Sequence, residues 1–222
     1  MTIFVLKIIA IISMFLDHVR YAVPVVEDFA AMYLGRIAFP LFAFFISEGY
    51  IHTKNVKKYF LRLIIFALIS QIPFMLFRTL VGEWKLLNVI VTLILGLLAI
   101  FIYDKGEDKF ISLILVGCIV YSGSILRVDY SWYGVITVFI MYLFKNKKIL
   151  LFIAYSIILI IYYEINGVSF LVTQNLISYI FCLISVLLTF TYNGKQGKKM
   201  KYFFYMFYPV HMLIIYLIGV YM

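Results

Sequence analysis

The feature that most constrains this sequence is a series of long apolar runs with only short polar segments between them. Hydrophobic residues make up 66% of the 222 residues and charged residues only 13%, against about 25% in ordinary soluble domains. A helix that crosses a bilayer needs roughly 20 mostly apolar residues, so nine such helices use about 180 residues. The residues that remain suffice for short loops and tails but not for a soluble domain. The sequence therefore predicts an integral membrane protein.

The apolar runs are continuous rather than alternating, which favours spanning helices over a transmembrane barrel. We predict an all-α, polytopic membrane helix bundle of about nine transmembrane helices, with residues 1–222 forming a single integral membrane domain. Two of the predicted spans are short, so counts of eight to ten also fit the pattern. The predicted spans are 3–23, 34–51, 59–80, 88–103, 109–126, 131–144, 149–164, 171–192 and 202–221.

The net charge of +9, from 19 Lys and Arg against 10 Asp and Glu, indicates topology rather than a nucleic-acid partner. No nucleic-acid-binding motif accompanies it. Cytoplasmic loops of membrane proteins carry an excess of Lys and Arg, and here Lys7 and every second loop together hold 14 of the 19 cations. This asymmetry predicts a multi-pass protein of the cell membrane. Its N-terminus would be cytoplasmic and, with nine spans, its C-terminus would lie outside.

The sequence offers no recognisable metal or nucleotide site. Cys118 and Cys182 lie within apolar runs, where we interpret them as small hydrophobic residues rather than as a disulfide or metal ligands. There is no His/Cys spacing typical of a metal site, no phosphate-binding glycine loop and no serine elbow. No metal is predicted, and any enzymatic site would have to be built from the membrane helices themselves.

The first unusual polar group lies near the outer end of span one. A charged residue at a span centre costs roughly 2.5–3.5 kcal/mol on insertion scales, so such residues usually face a partner or a cavity. Asp17 and Arg20 are three residues apart, share a helix face and can form a structural ion pair. His18 does not face its neighbour Asp17 on a regular helix. We interpret His18 as functional, because imidazole titrates near neutral pH.

Lys7 lies on the same stripe of the first span as His18. The two are eleven residues apart, which is close to three helical turns and about 16 Å along the axis. Ile11 and Met14 lie between them on that stripe. Lys7 is either a cytoplasmic anchor or the inner end of a functional face.

The second span carries a charge near each end. Arg36 enters from the outer side and can orient a carboxylate or a phosphate bidentately. Glu48 lies near the inner end, where it can pair with Arg62 or Lys57 or take part in chemistry. Pro40, between them, should kink the helix.

Three further polar residues admit two interpretations each. Asp129 lies in a segment whose turn chemistry and aromatic anchoring explain much of its composition, but it can also orient His18 from another helix. His211 follows Pro209 in the middle of the last span and is either a core histidine bonded to a carbonyl or a functional group. Asn88 is a candidate for interhelical hydrogen bonding.

Several of these residues occur in stretches that resemble one known family. The stretches are Leu6-Lys7-Ile8-Ile9-Ala10 through Asp17-His18, Gly35-Arg36-Ile37-Ala38-Phe39-Pro40, Glu48-Gly49, Lys58-Tyr59, Arg62-Leu63, Gln71-Ile72-Pro73-Phe74, Asn88, Tyr133-Gly134 and Tyr208-Pro209-Val210-His211. Together they resemble the TraX family, named for a conjugation-system protein associated with N-terminal acetylation of pilin. The resemblance covers nearly the whole chain.

TraX-like proteins in turn resemble wider transmembrane acyltransferases, including acyltransferase-3 proteins and heparan glucosaminide N-acetyltransferase. Acyltransferase-3 proteins have a basic residue and a first-span histidine at the spacing of Lys7 and His18, although Arg is usual where this chain has Lys. Leu16-Asp17 followed by Arg20 is also similar to a pattern of that superfamily.

The resemblance implies acetyl transfer from acetyl-CoA to an acceptor at or beyond the membrane. His18 would be the general base that removes a proton from the attacking amine or hydroxyl. Asp17 or Asp129 would set the tautomer of this imidazole. Arg36 or Asn88 would stabilise the tetrahedral oxyanion.

The donor would be held from the cytoplasmic side. Basic loops, with Lys7 and Arg62, would bind acetyl-CoA, and His211 would line the donor channel or compete for the role of base. Arg20 and Glu48 are further polar candidates. The expected partners are the lipid bilayer, acetyl-CoA and an acceptor that is a peptide, a glycan or a lipid, with N- and O-acylation both open.

Two hypotheses from other functional classes of protein compete with the enzyme hypothesis. Intramembrane Asp, His, Arg and Glu also suit a small proton-coupled transporter or flippase. Alternatively, the polar residues only hold together an assembly or scaffold protein. The sequence shows no internal repeat of the kind that many transporters carry, which favours the acetyltransferase.

Overall fold

The structure is a computed structural model that describes residues 1–23, 28–82, 86–168 and 172–221. Every regular element in these residues is a helix, and one isolated bridge pairs Leu87 with Val128. The helices are α1 (Ile3–Val19), α2 (Asp28–Gly35), α3 (Ala38–His52), α4 (Val56–Thr79), α5 (Val89–Lys105), α6 (Lys109–Ile125), α7 (Ser131–Leu143), α8 (Lys148–Ile165), α9 (Thr173–Phe190) and α10 (Lys201–Tyr221).

The predicted all-α class and the count of about nine helices are confirmed. Helices α2 and α3 are separated only by Arg36 and Ile37 and together contain one apolar span, so they correspond to the single second span of the prediction. Within the described part of the chain, five helices are long and apolar enough to cross a membrane. They are Ala31–His52, Val56–Thr79, Lys148–Ile165, Thr173–Phe190 and Tyr202–Tyr221.

The expected kink at Pro40 is replaced by a break just before it. Helix α3 begins at Ala38, so Pro40 lies in its first turn. Backbone N–H groups in the first turn have no partner within the helix, and proline loses nothing there. The interruption therefore falls at Arg36 and Ile37, and it places the guanidinium of Arg36 at a junction rather than on a continuous helix face.

The chain divides into two compact units, and each is described by itself. The first comprises Met1–Phe42, Ile69–Trp84 and Leu159–Met222, and the second comprises Ala43–Leu68 and Lys85–Ile158. In the first unit α1 packs against α2 and α10, and α2 packs against α9. In the second unit α5, α6 and α7 pack against one another.

Helices α1 and α10 of the first unit run parallel. Phe4 meets Phe204 with ring centroids 6.2 Å apart, and His18, further along α1, meets His211, further along α10. The α9–α10 loop caps the start of α1, because the carbonyls of Lys195 and Gln196 accept hydrogen bonds from Ile3 and Phe4 at 3.0 and 3.1 Å. These N–H groups belong to the first helical turn, which has no partners of its own.

A glycine makes this capping loop possible. Gly197 has φ +71°, in the left-handed region that favours glycine. A Cβ at this position would lie 2.8 Å from the Thr2 hydroxyl oxygen, closer than an unbonded carbon can approach. Both the backbone conformation and the space therefore require glycine where the loop crosses the start of α1.

The second unit contains a polar cluster around Asp104, at the end of α5 and beyond the predicted span 88–103. The hydroxyls of Tyr50 and Tyr142 each donate to its carboxylate at 2.7 Å, and Lys105 Nζ lies 3.1 Å away. Burial raises the pKa of Asp104, but hydrogen bonds from the two phenols and from Lys105 outweigh burial and lower it to about 2. The carboxylate is therefore ionised at neutral pH and links α3, α5 and α7.

Candidate functional site

The two histidines predicted in the first and last spans meet in the first unit. His18 Nδ1 lies 2.8 Å from His211 Nε2, and the rings are nearly parallel, with an interplanar angle of 16°. The residues are 193 positions apart, so no sequence spacing indicates their contact. Their side chains form a hydrogen-bonded imidazole pair between α1 and α10.

His211 is fixed on its other side by its own helix. Its Nδ1 lies 2.7 Å from the carbonyl oxygen of Phe207, and the Phe207 ring stacks on the imidazole at 4.8 Å. A carbonyl oxygen only accepts hydrogen bonds, so this nitrogen carries the hydrogen. The side chain of His211 is buried. The interpretation as a histidine bonded to a neighbouring carbonyl is therefore confirmed, and the same ring also serves the pair with His18.

Three further residues influence His18. The ring of Phe77, near the end of α4, lies 5.1 Å from the imidazole. Arg20 and Arg78 act on His18 through their positive charge. Among the residues that the structure describes, none forms a hydrogen bond to His18 Nε2, and the residue is only partly buried. That nitrogen is therefore the atom through which His18 can meet a substrate.

Asp17 is held between two arginines. Arg20 Nε lies 3.4 Å from Asp17 Oδ1 and donates to the Asp17 carbonyl oxygen at 3.1 Å, so the predicted pair is confirmed. Arg36, at the α2–α3 junction, stabilises the same carboxylate through its charge. The contact of His18 Nδ1 is with His211, so the expectation that Asp17 sets the tautomer of His18 is corrected: Asp17 is engaged by Arg20.

Gly35 allows the α2–α3 junction to reach Asp17. A side-chain carbon at Gly35 would overlap the Asp17 side chain, with Cγ only 2.7 Å away. The backbone of this junction therefore lies directly against the carboxylate. The break between α2 and α3 brings Arg36 to the site for the same reason.

Lys7 faces the same neighbouring helix as His18. Its ammonium group lies 5.2 Å from the centre of the Phe204 ring on α10. The prediction that Lys7 and His18 share one face of α1 is thus confirmed, because both contact α10. The basic α9–α10 loop, which carries Lys195, Lys198 and Lys199, is bonded to the start of the same helix.

Asn88 and Asp129, two of the other predicted candidates, make structural hydrogen bonds in the second unit. Asn88 is buried and caps α5, with its Oδ1 accepting from Ile90 N at 3.0 Å, and its Nδ2 donates to the Ala67 carbonyl at 2.8 Å. The expected interhelical hydrogen bond of Asn88 is confirmed. Asp129 lies in the turn before α7, where its N–H donates to the Leu87 carbonyl at 2.9 Å and its carbonyl accepts from the Thr92 hydroxyl.

The remaining two candidates lie near the start of the second unit. Glu48 pairs with His52 Nε2 at 3.2 Å, one helical turn along α3, where we expected Arg62 or Lys57. The guanidinium of Arg62 lies 5.4 Å from the centre of the Tyr59 ring. Glu48 and His52 are four residues apart, the spacing at which side chains meet on a helix. The pair could therefore have been predicted from the sequence.

Sequence reasoning missed two residues of the site. Arg78 was not among the predicted candidates, although the loop charges put it on the same predicted outer side as Arg20 and Arg36. Tyr163 of α8 bonds the thiol of Cys182 on α9 and is influenced by the charge of Arg36. A tyrosine or a cysteine inside an apolar run gives no signal of its own, because both are ordinary in membrane helices.

Comparisons with known proteins agree on one family. The family described as TraX protein matches residues 3–219. The Probable fimbrial assembly protein FimC, serogroup H1, of Dichelobacter nodosus is 30% identical over 236 residues, which cover 96% of this chain and 93% of that protein. No solved structure matches the chain significantly. With a family match over almost its entire length and this relative beside it, the chain belongs to the TraX family.

Proposed function

We propose that this protein is a membrane-embedded acetyltransferase that moves an acetyl group from acetyl-CoA to an acceptor at or beyond the membrane. The observation that carries the proposal is the imidazole pair of His18 and His211, which leaves one nitrogen of His18 without a hydrogen-bond partner among the described residues. Membership of the TraX family supports it, since the resemblance to that family implies acetyl transfer.

The chemistry follows from general base catalysis. His18 Nε2 takes the proton of an amine or hydroxyl while that group attacks the thioester carbonyl. The C–S bond of the tetrahedral intermediate then breaks, and the same proton passes to the departing thiolate. Arg36 would stabilise the oxyanion, and Asp17 would hold Arg20 and Arg36 in place. Asn88, the other candidate for the oxyanion, is used as a helix cap.

The donor would enter at the other end of α1. Lys7 and the basic α9–α10 loop lie at that end, and cationic side chains suit the phosphates of CoA. Arg62, which the sequence also suggested as a residue that binds the donor, lies in the second unit. We place the N-terminus in the cytoplasm and the C-terminus outside, in a multi-pass protein of the cell membrane. The parallel course of α1 and α10 supports opposite sides for the two termini, because two parallel spanning helices have an odd number of crossings between them.

The acceptor would be a subunit of a surface fibre. The relative from Dichelobacter nodosus is described as a probable fimbrial assembly protein, and a protein subunit offers the amine of its N-terminus as nucleophile. Glycan and lipid acceptors are the other outcomes that an experiment has to distinguish, as is O- rather than N-acylation.

The test uses the whole chain in membranes with radiolabelled acetyl-CoA. His18→Ala should lower transfer to membrane components by about 10²- to 10⁴-fold, the usual contribution of a general base. His52→Ala is the matched control, because His52 is largely exposed and lies in the second unit. Full activity in the His18 variant would contradict the assignment.

The same experiment separates an enzyme from a transporter. An acetyltransferase should label its acceptor in detergent, where no gradient exists. A requirement for a substrate gradient, without binding of acetyl-CoA, would instead support the proton-coupled transporter or flippase. Mass spectrometry of a deletion strain should show which molecule loses its acetyl group.

A further inference from the structure

Two hydrogen bonds of the imidazole pair determine where its hydrogens lie. His211 Nδ1 is 2.7 Å from the Phe207 carbonyl oxygen, which only accepts, so His211 carries its hydrogen on Nδ1. A neutral imidazole has one N–H, and His211 Nε2 is therefore an acceptor. The 2.8 Å contact with His18 then requires His18 Nδ1 to be the donor. The lone pair of His18 is left on Nε2.

We propose that His211 is the positioning residue of this site: it sets the tautomer of His18 and takes up the proton that His18 removes. In many enzymes a carboxylate orients the catalytic imidazole in this way. Here the carboxylate of the adjacent residue, Asp17, pairs with Arg20, and a second imidazole takes the role of the orienting carboxylate. The tautomer is independent of the reaction, whereas the uptake of the proton rests on the proposed acetyl transfer.

The surrounding charges favour moving the proton away from His18. Arg20 and Arg78 repel a positive charge on its ring. The 2.8 Å hydrogen bond offers a direct route to His211 Nε2. A charged His211 keeps both of its N–H groups bonded, one to His18 and one to a carbonyl, and hydrogen bonds from ionised donors are the stronger kind.

The steps balance for either type of acceptor. His18 Nε2 takes the proton of the attacking N–H or O–H group, and the hydrogen on His18 Nδ1 moves to His211 Nε2. His18 is then neutral with its hydrogen on Nε2, and His211 carries the charge. When the C–S bond breaks, Nε2 gives its proton to the thiolate of CoA, and the hydrogen returns from His211 to His18 Nδ1. Both rings end in their starting state.

The chain's three histidines make a direct test possible. The full-length His52→Gln variant, labelled with ¹⁵N-histidine, contains only the two rings of the pair. At mildly alkaline pH, where imidazoles are neutral, nitrogen–proton correlation spectra should show both rings with hydrogen on Nδ1. An Nε2–H tautomer for either ring would overturn the proposal. No assignment of the two signals is needed, since the expectation is the same for both.

Two substitutions of His211 then separate the two roles. His211→Gln can still accept from His18 Nδ1 but does not take up a proton, so His18 should keep its tautomer while transfer falls by about tenfold or more. In His211→Phe, the side chain neither accepts a hydrogen bond nor takes up a proton. His18 should then populate both neutral tautomers, and transfer should fall further. A fixed tautomer in the Phe variant would refute the positioning role, and full activity in the Gln variant would refute proton uptake.

The outcomes distinguish this inference from the proposed function. If the wild-type protein transfers no acetyl group, the acetyltransferase proposal fails, while the spectra still decide the tautomers. If transfer occurs but the spectra show hydrogen on Nε2, the acetyltransferase stands and the role of His211 falls. Should the Phe variant not fold, the His52→Gln spectra and the Gln variant still decide both parts.

Discussion

Each unit of this protein contains a polar cluster among apolar helices, and the two clusters differ in how completely their polar atoms are used. In the second unit, the Asp104 carboxylate accepts hydrogen bonds from the hydroxyls of Tyr50 and Tyr142 and forms an ion pair with Lys105. In the first unit, His18 uses Nδ1 for His211, and its Nε2 has no partner among the described residues. A cluster with every group paired stabilises a fold, whereas a base with one nitrogen available is suited to chemistry.

The largest effect that sharpens this comparison is expected for Asp104→Ala. The change leaves two phenols without their acceptor, and an unsatisfied buried hydroxyl costs about 1–3 kcal/mol. We expect a loss of about 2–4 kcal/mol in the free energy of unfolding, measured by denaturation in detergent, because Tyr50 is buried. Acetyl transfer per folded molecule should be unchanged.

Glu107→Ala is the matched control for this change, since Glu107 is an exposed carboxylate in the loop that follows α5. Equal stability of the two variants would show that the Asp104 cluster is not structural. A loss of activity per folded molecule in the Asp104 variant would break the division between the two clusters.

The next effect is expected for Gly35→Ala in the first unit. The new methyl group would overlap Asp17, so the α2–α3 junction must move away from the carboxylate. Overpacking of this kind costs about 1–3 kcal/mol, and the displacement of Arg36 should lower acetyl transfer beyond the loss of folded protein. Activity and thermal unfolding are measured on the same preparation.

Gly117→Ala provides the control for the glycine itself. Gly117 lies within α6, and nothing lies within 4 Å of the position that its Cβ would take. Alanine is favoured over glycine inside a helix by about 1 kcal/mol, so this variant should be at least as stable as the wild type. An active, stable Gly35 variant would mean that close contact with Asp17 is unnecessary.

The smallest effect is expected for Tyr142→Phe, which removes one of the two hydrogen bonds to Asp104 and leaves the ring in place. A single hydrogen bond to a charged group contributes about 1.5–3 kcal/mol, and the end of α5 is partly exposed, so we expect about 1 kcal/mol. Tyr121→Phe is the control, because Tyr121 is exposed on α6. A difference between the two unfolding midpoints is the measurement, and identical midpoints would contradict the prediction.

The sequence predicts the fold class because a bilayer permits few alternatives. Backbone groups in lipid must be bonded internally, so long apolar runs become helices. Boundaries were less well predicted: α1 ends at Val19 rather than at residue 23, and the second span is broken at Arg36 and Ile37. The break depends on packing against Asp17, which no local pattern in the sequence expresses.

The site was predicted only where one helix determines it. The pair of Asp17 and Arg20, and the common face of Lys7 and His18, follow from helical periodicity and are confirmed. The contact with His211 joins helices from opposite ends of the chain, so periodicity gives no information about it. We expected Asp17 or Asp129 as the partner of His18, because a carboxylate often orients an imidazole. In this structure the hydrogen-bond partner of His18 is a second imidazole, that of His211.

The parallel pairing of α1 and α10 has a consequence for biosynthesis. Ribosomes add roughly 5–20 residues per second, and His18 and His211 are 193 residues apart. Helix α1 is therefore synthesised about 10–40 seconds before α10, the helix that carries His211. A chain that stops short of its last helix has no such pair, so the proposed activity would arise only once synthesis is almost complete.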